Sequence, residues 1–193
     1  MLAWRLLDWE AFRAFHLNAV AMDGDSPAVP GKEFRLIHAG VVPMRIQTRN
    51  LGEVEATPES FLTLPDGLVG YEGEREFALV SPARYAPFQW LLSFSDPELA
   101  LPVLEAKRAV PDYAPAWSNA DRHALGAVES DALDVYLVAN VDEARGGLTV
   151  NLRAPIVVHR ATRLARQVVL SDGRYAIDHV VGGKHSESTQ KAA

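Results

Sequence analysis

The chain of 193 residues contains no cysteine. This absence excludes disulfide bonds, thiolate nucleophiles and zinc sites built from cysteine ligands. It is typical of proteins of the reducing cytosol, so we expect a cytoplasmic location. Without covalent cross-links the fold must depend on its apolar core. A single domain of about this size can bury roughly two-thirds of its unfolded surface.

Long apolar runs and an excess of positive charge are also missing. A membrane-spanning helix needs about 20 apolar residues, and the apolar stretch at residues 1–22 is interrupted by Asp8, Glu10 and Arg13. Neither a membrane span nor the core of a signal peptide is expected there. The net charge is −6, whereas sequence-independent binding of nucleic acid requires a concentrated basic surface. We therefore expect no direct contact with nucleic acid and no association with a membrane.

The character of the sequence changes at Met44. Residues 1–22 have apolar residues at helical spacing, and residues 23–31 contain two prolines and two glycines, as a linker would. We therefore predict that residues 1–43 are an extension, with a helix followed by a linker, and that Met44 is the true or ancestral start. The domain is predicted to span residues 44–181, and the polar residues 182–193 are predicted to be a disordered tail.

From Met44 onward, short apolar or alternating segments separated by turn residues predict β-strands. These segments are residues 44–48, 52–56, 61–64, 76–80, 88–94, 99–104, 133–141, 148–152, 155–159, 163–170 and 174–181. Pro102 lies within one of them and predicts an edge strand or a bulge, because proline cannot donate to a ladder. Ser118 or Asn119 is predicted to cap a short helix that stops at Gly126. The pattern predicts an all-β, mainly antiparallel barrel or sandwich with one or two short helices.

Residue types that carry catalysis or bind metals occur, but not in the patterns that such chemistry requires. No two histidines have the i, i+4 spacing of a zinc protease, and no serine lies in a G-x-S-x-G elbow. A structural role is favoured over a shared metal for His159 and His179, which lie on different predicted strands. The glycines of residues 67–73 do not form a phosphate-binding loop. The glutamates of residues 72–76 favour a solvated charged loop. No catalytic residue, metal ligand or cofactor is predicted.

Several short motifs follow one another in a recognisable order. They are PDGLVGYE (residues 65–72), FQWLLSFSDPELALPV (88–103), PDY (111–113), LTVNLRAPIVV (148–158) and RQVVL (166–170). Together they resemble the FliW family, the bacterial flagellar assembly factors, over about residues 44–181. The T-x-N-L-x-A-P-I segment is the most specific of the motifs.

The resemblance implies a regulatory protein without catalytic residues. FliW proteins bind the carbon storage regulator CsrA, a small dimeric RNA-binding protein, and relieve its repression of flagellin translation. They also bind flagellin itself. Because the two partners compete, the resemblance implies that flagellin translation follows the amount of unsecreted flagellin.

Within the motifs, most of the distinctive residues are predicted to have structural roles. The glycines permit a positive φ, and the tryptophan packs in the core. A threonine, an asparagine and a proline shape a strand pair and its bend, because asparagine can satisfy backbone groups and proline removes a ladder donor. The residues concerned are Gly67, Gly70, Trp90, Thr149, Asn151 and Pro155.

Four acidic residues, Glu72, Asp96, Glu98 and Asp112, lie in predicted loops beside the motifs. Exposed carboxylates there would steer a basic RNA-binding regulator toward the protein. We therefore predict these four residues as partner contacts, and we place Asp96 and Glu98 on the partner surface.

Two other functions remain open from the residues themselves. A small β-barrel enzyme or ligand-binding protein would need a deep apolar pocket in which polar groups with shifted pKa values converge. An RNA-binding barrel would need aromatic residues interleaved with its basic residues on one face. Of the aromatic residues, only Tyr175 lies close in sequence to the arginines of residues 160–174.

Overall fold

A computed structural model describes residues 43–128, 131–142 and 147–181. The predicted extension, apart from Pro43, and the predicted tail lie outside these residues. The strands are β1 (Met44–Thr48), β2 (Gly52–Ala56), β3 (Phe61–Thr63), β4 (Glu76–Val80), β5 (Gln89–Ser93), β6 (Ala100–Glu105), β7 (Leu133–Asp142), β8 (Gly147–Val150), β9 (Ile156–His159), β10 (Ala165–Gln167) and β11 (His179–Val180). The α-helices are α1 (Ala106–Ala109) and α2 (Asn119–Ala124). The predicted all-β fold with one or two short helices is confirmed.

Nine strands form one antiparallel sheet, in which seven follow the order β10-β9-β7-β6-β5-β4-β3, while β8 pairs with β7 and with β11. The sheet curls until its two ends meet. There the amide of Thr63 donates a hydrogen bond of 3.1 Å to the carbonyl of Arg163, and the Arg163 guanidinium donates to the Phe61 carbonyl at 3.2 Å. This contact covers the edges that a flat sheet of the same strands would leave open.

The curled sheet separates two apolar cores, one on each face. The strands of the sheet contribute Leu62, Phe77, Leu91, Val103, Val138, Ile156, Val158 and Ala165 to the inner core. The outer core lies beneath the β1–β2 hairpin, the segment with the two helices, and β8. Strand β7 serves both cores, because its side chains alternate between the faces. Leu137 and Val141 belong to the outer core and Val138 to the inner one, as the odd and even positions of a strand require.

Strand β6 is not an edge strand, so the first of the two alternatives predicted from Pro102 is wrong. β6 lies between β5 and β7. Its pairing with β7 runs only from Val103 to Glu105, whereas Pro102 lies opposite Trp90 of β5. The missing N–H of the proline therefore falls where the ladder with β7 has already ended, which is why an internal strand tolerates it.

The cap of α2 agrees with the sequence. The Ser118 hydroxyl accepts a hydrogen bond from the Asp121 amide at 3.1 Å, and the Asp121 carboxylate accepts one from the Ser118 amide at 3.2 Å. This reciprocal pair is a capping box, and it satisfies two amides at the start of the helix. Gly126 follows the helix with a φ of +62°, a conformation that favours glycine.

Candidate protein-binding surface

The most specific motif forms a break between β8 and β9. Both strands pair with β7, but Ala139 lies opposite Val150 while Tyr136 lies opposite Ile156. Between these two pairs the chain advances three residues along β7 but six residues from β8 to β9. Three residues therefore bulge out of the ladder. The buried side chain of Asn151 accepts hydrogen bonds at its Oδ1 from the amides of residues 153 and 154, at 2.9 and 3.0 Å. Asn151 thereby supplies the acceptors that the interrupted ladder does not.

The neighbouring motif residues are also directed at the backbone and the core. The Thr149 hydroxyl donates to the Asn140 carbonyl at 3.3 Å, and Pro155 is buried immediately before β9. Trp90 is fully buried in the outer core and packs edge-on against Tyr85, with 5.6 Å between ring centroids.

A tight turn between β3 and β4 requires its glycines. Gly67 and Gly70 have φ values of +68° and +86°, which residues other than glycine rarely adopt. At Gly67 there is also no room for a side chain, because a Cβ would lie 2.6 Å from the Tyr71 carbonyl oxygen. The two glycines therefore allow the backbone of this turn to adopt the shape in which Glu72 is exposed.

Three of the four predicted acidic contacts lie at one end of the sheet. Thr63 of β3 pairs with Glu76 of β4, and Leu92 of β5 pairs with Ala100 of β6. The β3–β4 loop (residues 64–75) and the β5–β6 loop (94–99) are therefore neighbours, and the β1–β2 turn (49–51) joins them. We call these three segments the acidic end, since they contain five carboxylates and two arginines. The predicted contacts within it are Glu72, Asp96 and Glu98.

Asp112 does not join them. It is exposed and follows α1, which continues from the far end of β6. The six residues of β6 separate the two ends of the sheet by about 20 Å. Asp112 is therefore a candidate contact on a different part of the surface.

The two carboxylates of the β5–β6 loop differ in what they do. Asp96 is half-buried, and its Oδ1 accepts a hydrogen bond from the Glu98 amide at 2.9 Å. Glu98 is exposed and forms an ion pair with Arg49 at 2.7 Å. The Arg49 amide also donates to the Pro97 carbonyl at 2.9 Å, which ties the hairpin to the loop. Asp96 thus shapes the loop, whereas Glu98 presents its charge to solvent.

In the β3–β4 loop, hydrogen bonds hold two carboxylates in their charged form. The Gly70 amide donates to Glu72 at 2.9 Å and lowers the pKa of that carboxyl. The Ser93 hydroxyl donates to Glu74 at 2.6 Å, the Ser95 hydroxyl donates to the same carboxylate, and both lower its pKa. Glu74 thus lies in a partly exposed loop, as predicted, but it also has two hydroxyl partners. Its partners lie nineteen or more residues away in the chain, so local sequence carried no signal of them.

An open groove adjoins the acidic end, and the sequence did not reveal it. It has a volume of about 630 Å³ and lies between β1 and the end of the curled sheet. We call it the β1 groove. Its apolar part includes Phe61 and Phe94, whose rings meet edge-on with centroids 4.9 Å apart, and Met44, which is 48% exposed. The complete lining is Met44, Arg45, Ile46, Gln47, Phe61, Glu76, Phe94 and Pro97.

The inside of the curled sheet is filled by side chains. A gap lined by Leu62, Tyr136 and other apolar residues has no room for a water molecule. A second gap, beneath Leu68 and Tyr71, measures about 10 Å³, which is at the lower limit for one water. Within the described residues no three potential metal ligands cluster, and no helix is long and apolar enough to cross a membrane. Neither gap is the deep pocket that an enzyme or a ligand carrier requires.

His159 and the arginines of residues 160–174 have local partners. His159 is buried, with Nδ1 2.6 Å from the Thr162 hydroxyl and Nε2 3.4 Å from Asp131, and it does not meet His179 in a metal site. The arginines considered for RNA binding contact a carbonyl or a carboxylate. These contacts are Arg160 with Asp134, Arg163 with the Phe61 carbonyl, Arg166 with Asp66, and Arg174 with Asp172.

Comparison with known proteins identifies the family. The family model described as FliW protein matches residues 45–181. The chain belongs to the FliW family. The resemblance inferred from the motifs is thereby confirmed, and the matched residues include the acidic end and all of the β1 groove except Met44.

Individual FliW proteins match over most of their length. The flagellar assembly factor FliW of Thermotoga neapolitana is 32% identical over 148 residues, which cover 76% of this chain and 97% of the relative. That of Geobacter sulfurreducens is 33% identical over 136 residues, covering 70% and 85%. A crystal structure of the flagellar assembly factor FliW superposes with a TM-score of 0.64 at 26% identity, covering 70% of this chain and 95% of that one.

Proposed function

We propose that this FliW-family protein is a cytoplasmic flagellar assembly factor that acts by binding other proteins and catalyses no reaction. Its partners are the translational regulator CsrA, whose repression of flagellin synthesis it relieves, and flagellin. The names of its relatives support a role in flagellar assembly, and the motif resemblance implies the two partners. The acidic end is the observation that carries the proposal, because it offers a charged surface beside an apolar groove and no enclosed chamber.

The acidic end suits a partner that is itself built to bind RNA. Such a protein carries a basic surface for phosphate groups, and a cluster of carboxylates attracts that surface over several ångströms. The hydrogen bonds to Glu72 and Glu74 lower both pKa values, so these carboxylates stay charged at neutral pH. The same negative charge repels RNA. The acidic end therefore favours binding of the regulator over binding of its messenger RNA.

Competition between the two partners requires no conformational change if their sites overlap. A rigid β-sheet surface occupied by one polypeptide excludes another. If the sites are separate, mutual exclusion requires a coupling free energy of about 1–3 kcal/mol between them. Asp112, at the opposite end of the sheet, marks where a separate site would be sought.

A pull-down with purified CsrA and purified flagellin, each alone and then together, tests the proposal. We expect each to bind the full chain alone and one to displace the other. Reversing both charges of the β5–β6 loop, with Asp96→Lys and Glu98→Lys, should weaken binding of CsrA at low salt. Unchanged binding would remove these two residues from the partner surface.

A matched control comes from the turn at residues 171–174. Asp172 accepts the amide of Arg174 at 2.9 Å through its Oδ1, just as Asp96 accepts that of Glu98, but it lies outside the acidic end. Asp172→Lys therefore repeats, at another place, the loss of a local hydrogen bond and half of the change of charge. It should leave CsrA binding near that of the wild type. Failure of the wild-type chain to capture either protein would refute the proposed function itself.

A further inference from the structure

The first strand has one edge that remains uncovered in the described part of the chain. β1 pairs antiparallel with β2 from Met44 opposite Ala56 to Thr48 opposite Gly52, and with no other strand among residues 43–128, 131–142 and 147–181. An edge of this kind presents unpaired backbone donors and acceptors and is a template for another strand.

The direction of that edge follows from the contact at Arg49. Its amide, directly after β1, donates to the Pro97 carbonyl at 2.9 Å, so it points across the β1 groove to the β5–β6 loop. Amide directions alternate along an extended strand. The amides of Gln47 and Arg45 therefore point the same way as that of Arg49, into the β1 groove.

The groove also offers an apolar surface to the side chains of an added strand. Ile46 is buried against it, Met44 is 48% exposed, and the ring pair of Phe61 and Phe94 lies across from them. A strand that hydrogen-bonds to β1 would direct every second side chain onto this surface. The intervening side chains would face away from the apolar surface.

Charge around the groove is mostly negative. The two arginines beside it already have carboxylate partners, since Arg45 lies 3.6 and 3.9 Å from two glutamates of β2 and Arg49 lies 2.7 Å from Glu98. Five carboxylates on the hairpin, on β4 and in the β5–β6 loop outnumber these two arginines and Arg163, whose guanidinium donates to the Phe61 carbonyl at 3.2 Å. The five are Glu53, Glu55, Glu76, Asp96 and Glu98.

We propose that the β1 groove binds an extended segment of a partner protein, in which apolar and basic residues alternate, as a strand added to β1. Its backbone pairs with Gln47 and Arg45, its apolar side chains lie over Phe61 and Phe94, and its basic side chains meet the carboxylates. The inference rests on the proposed protein-binding function and specifies the chemistry of one docking site.

Selection from a phage-displayed library of random peptides of about ten residues, the length of a long strand, tests this on the full chain. We expect enriched peptides to alternate apolar and basic residues. They should bind Gln47→Pro about tenfold more weakly than the wild type, because one backbone donor is lost. Gln47→Ala removes the side chain but keeps the amide, so it should bind the peptides more tightly than Gln47→Pro. Proline is tolerated at an edge position whose amide faces outward.

A second pair of variants keeps the test decisive if Gln47→Pro does not fold. Met44→Asp places a charge on the apolar surface and should weaken the selected peptides, whereas Val128→Asp, at a residue that is 62% exposed outside the groove, should not. Peptides without an alternating pattern, or equal binding to all variants, would overturn the inference.

Hydrogen exchange identifies other occupants of the groove. We expect the amides of Gln47 and Arg45 to exchange rapidly in the isolated chain and to become protected when a selected peptide binds. Protection without peptide would mean that the chain fills its own groove, and protection that grows with protein concentration would mean a second copy. Either result overturns the inference, while the pull-down with CsrA and flagellin decides the proposed function separately.

Discussion

Three glycines of the β3–β4 loop allow a graded test of the structure, because an added methyl group meets something different at each. At Gly67, with a φ of +68°, a Cβ would lie 2.6 Å from the Tyr71 carbonyl oxygen and 2.8 Å from the Glu72 Cα. At Gly70, with a φ of +86°, nothing lies within 4 Å. At Gly73 the surroundings are equally open, and φ is outside the left-handed region.

The expected losses of stability follow from these surroundings. A left-handed conformation costs a residue with a side chain about 1–2 kcal/mol, and forcing atoms into occupied space costs about 1–3 kcal/mol more. Gly67→Ala should therefore destabilise the protein by about 2–5 kcal/mol and Gly70→Ala by about 1–2 kcal/mol. Gly73→Ala should lie within about 0.5 kcal/mol of the wild type.

Thermal unfolding followed by circular dichroism measures all three variants. At about 2–4 °C per kcal/mol for a chain of this size, Gly67→Ala should lower Tm by roughly 4–20 °C and Gly73→Ala by no more than about 2 °C. Equal losses at Gly67 and Gly70 would refute the close contact with residues 71 and 72. A neutral Gly67→Ala would refute the described turn altogether.

Three further outcomes concern single side chains. Asn151→Ala leaves two amides of the β8–β9 break without their acceptor and should lower the free energy of unfolding in urea by about 2–4 kcal/mol. Thr149→Val, which removes a longer hydrogen bond, should lower it by about 1 kcal/mol or less. Equal losses would contradict the role of the asparagine. The lowered pKa of Glu74, caused first by Ser93, means that its stabilising effect is complete above its ordinary value near 4.5 and is lost as the pH falls through the lower, folded-state pKa. The Tm difference between wild type and Glu74→Gln should accordingly shrink on acidification, and a difference independent of pH would count against it. Glu98→Gln should change stability by less than about 1 kcal/mol, because exposed ion pairs contribute little, yet slow the association with CsrA in stopped-flow measurements at low salt; an unchanged association rate would exclude steering by this carboxylate.

The acidic end and the β1 groove meet at the β5–β6 loop, and this gives the loop two roles. Asp96 holds its backbone through the Glu98 amide, and Pro97 both lines the groove and accepts the Arg49 amide. A partner that approaches by charge would therefore arrive beside the apolar groove. Electrostatic attraction mainly sets the rate of encounter, while desolvated apolar contacts slow dissociation.

Features that depend on neighbours in the chain were predictable. The capping box of Ser118 and Asp121 involves residues three apart, and its hydrogen bonds form whenever the chain turns into a helix there. The β5–β6 hairpin likewise needs only a short loop between two apolar segments. The alternation along β7 predicted its two buried faces, because the side-chain period of a strand is two residues.

Features that depend on distant residues were not predictable. The internal position of Pro102 depends on where the ladder with β7 begins, and β7 starts about thirty residues later in the chain. The partner of Glu74 is Ser93, which comes near only because β4 and β5 pair. Local propensity and pattern carry no information about such contacts.

The sequence by itself determined the strand-rich fold, the cap of α2 and, through the order of its motifs, the family. These are set by short-range hydrogen bonding, by side-chain periodicity and by positions such as residue 67, whose backbone conformation only glycine accommodates. Only the tertiary structure decided that three acidic loop residues share one end of the sheet while Asp112 does not. It alone also formed the β1 groove, because Met44 and the ring pair of Phe61 and Phe94 meet only after the hairpin packs on the curled sheet.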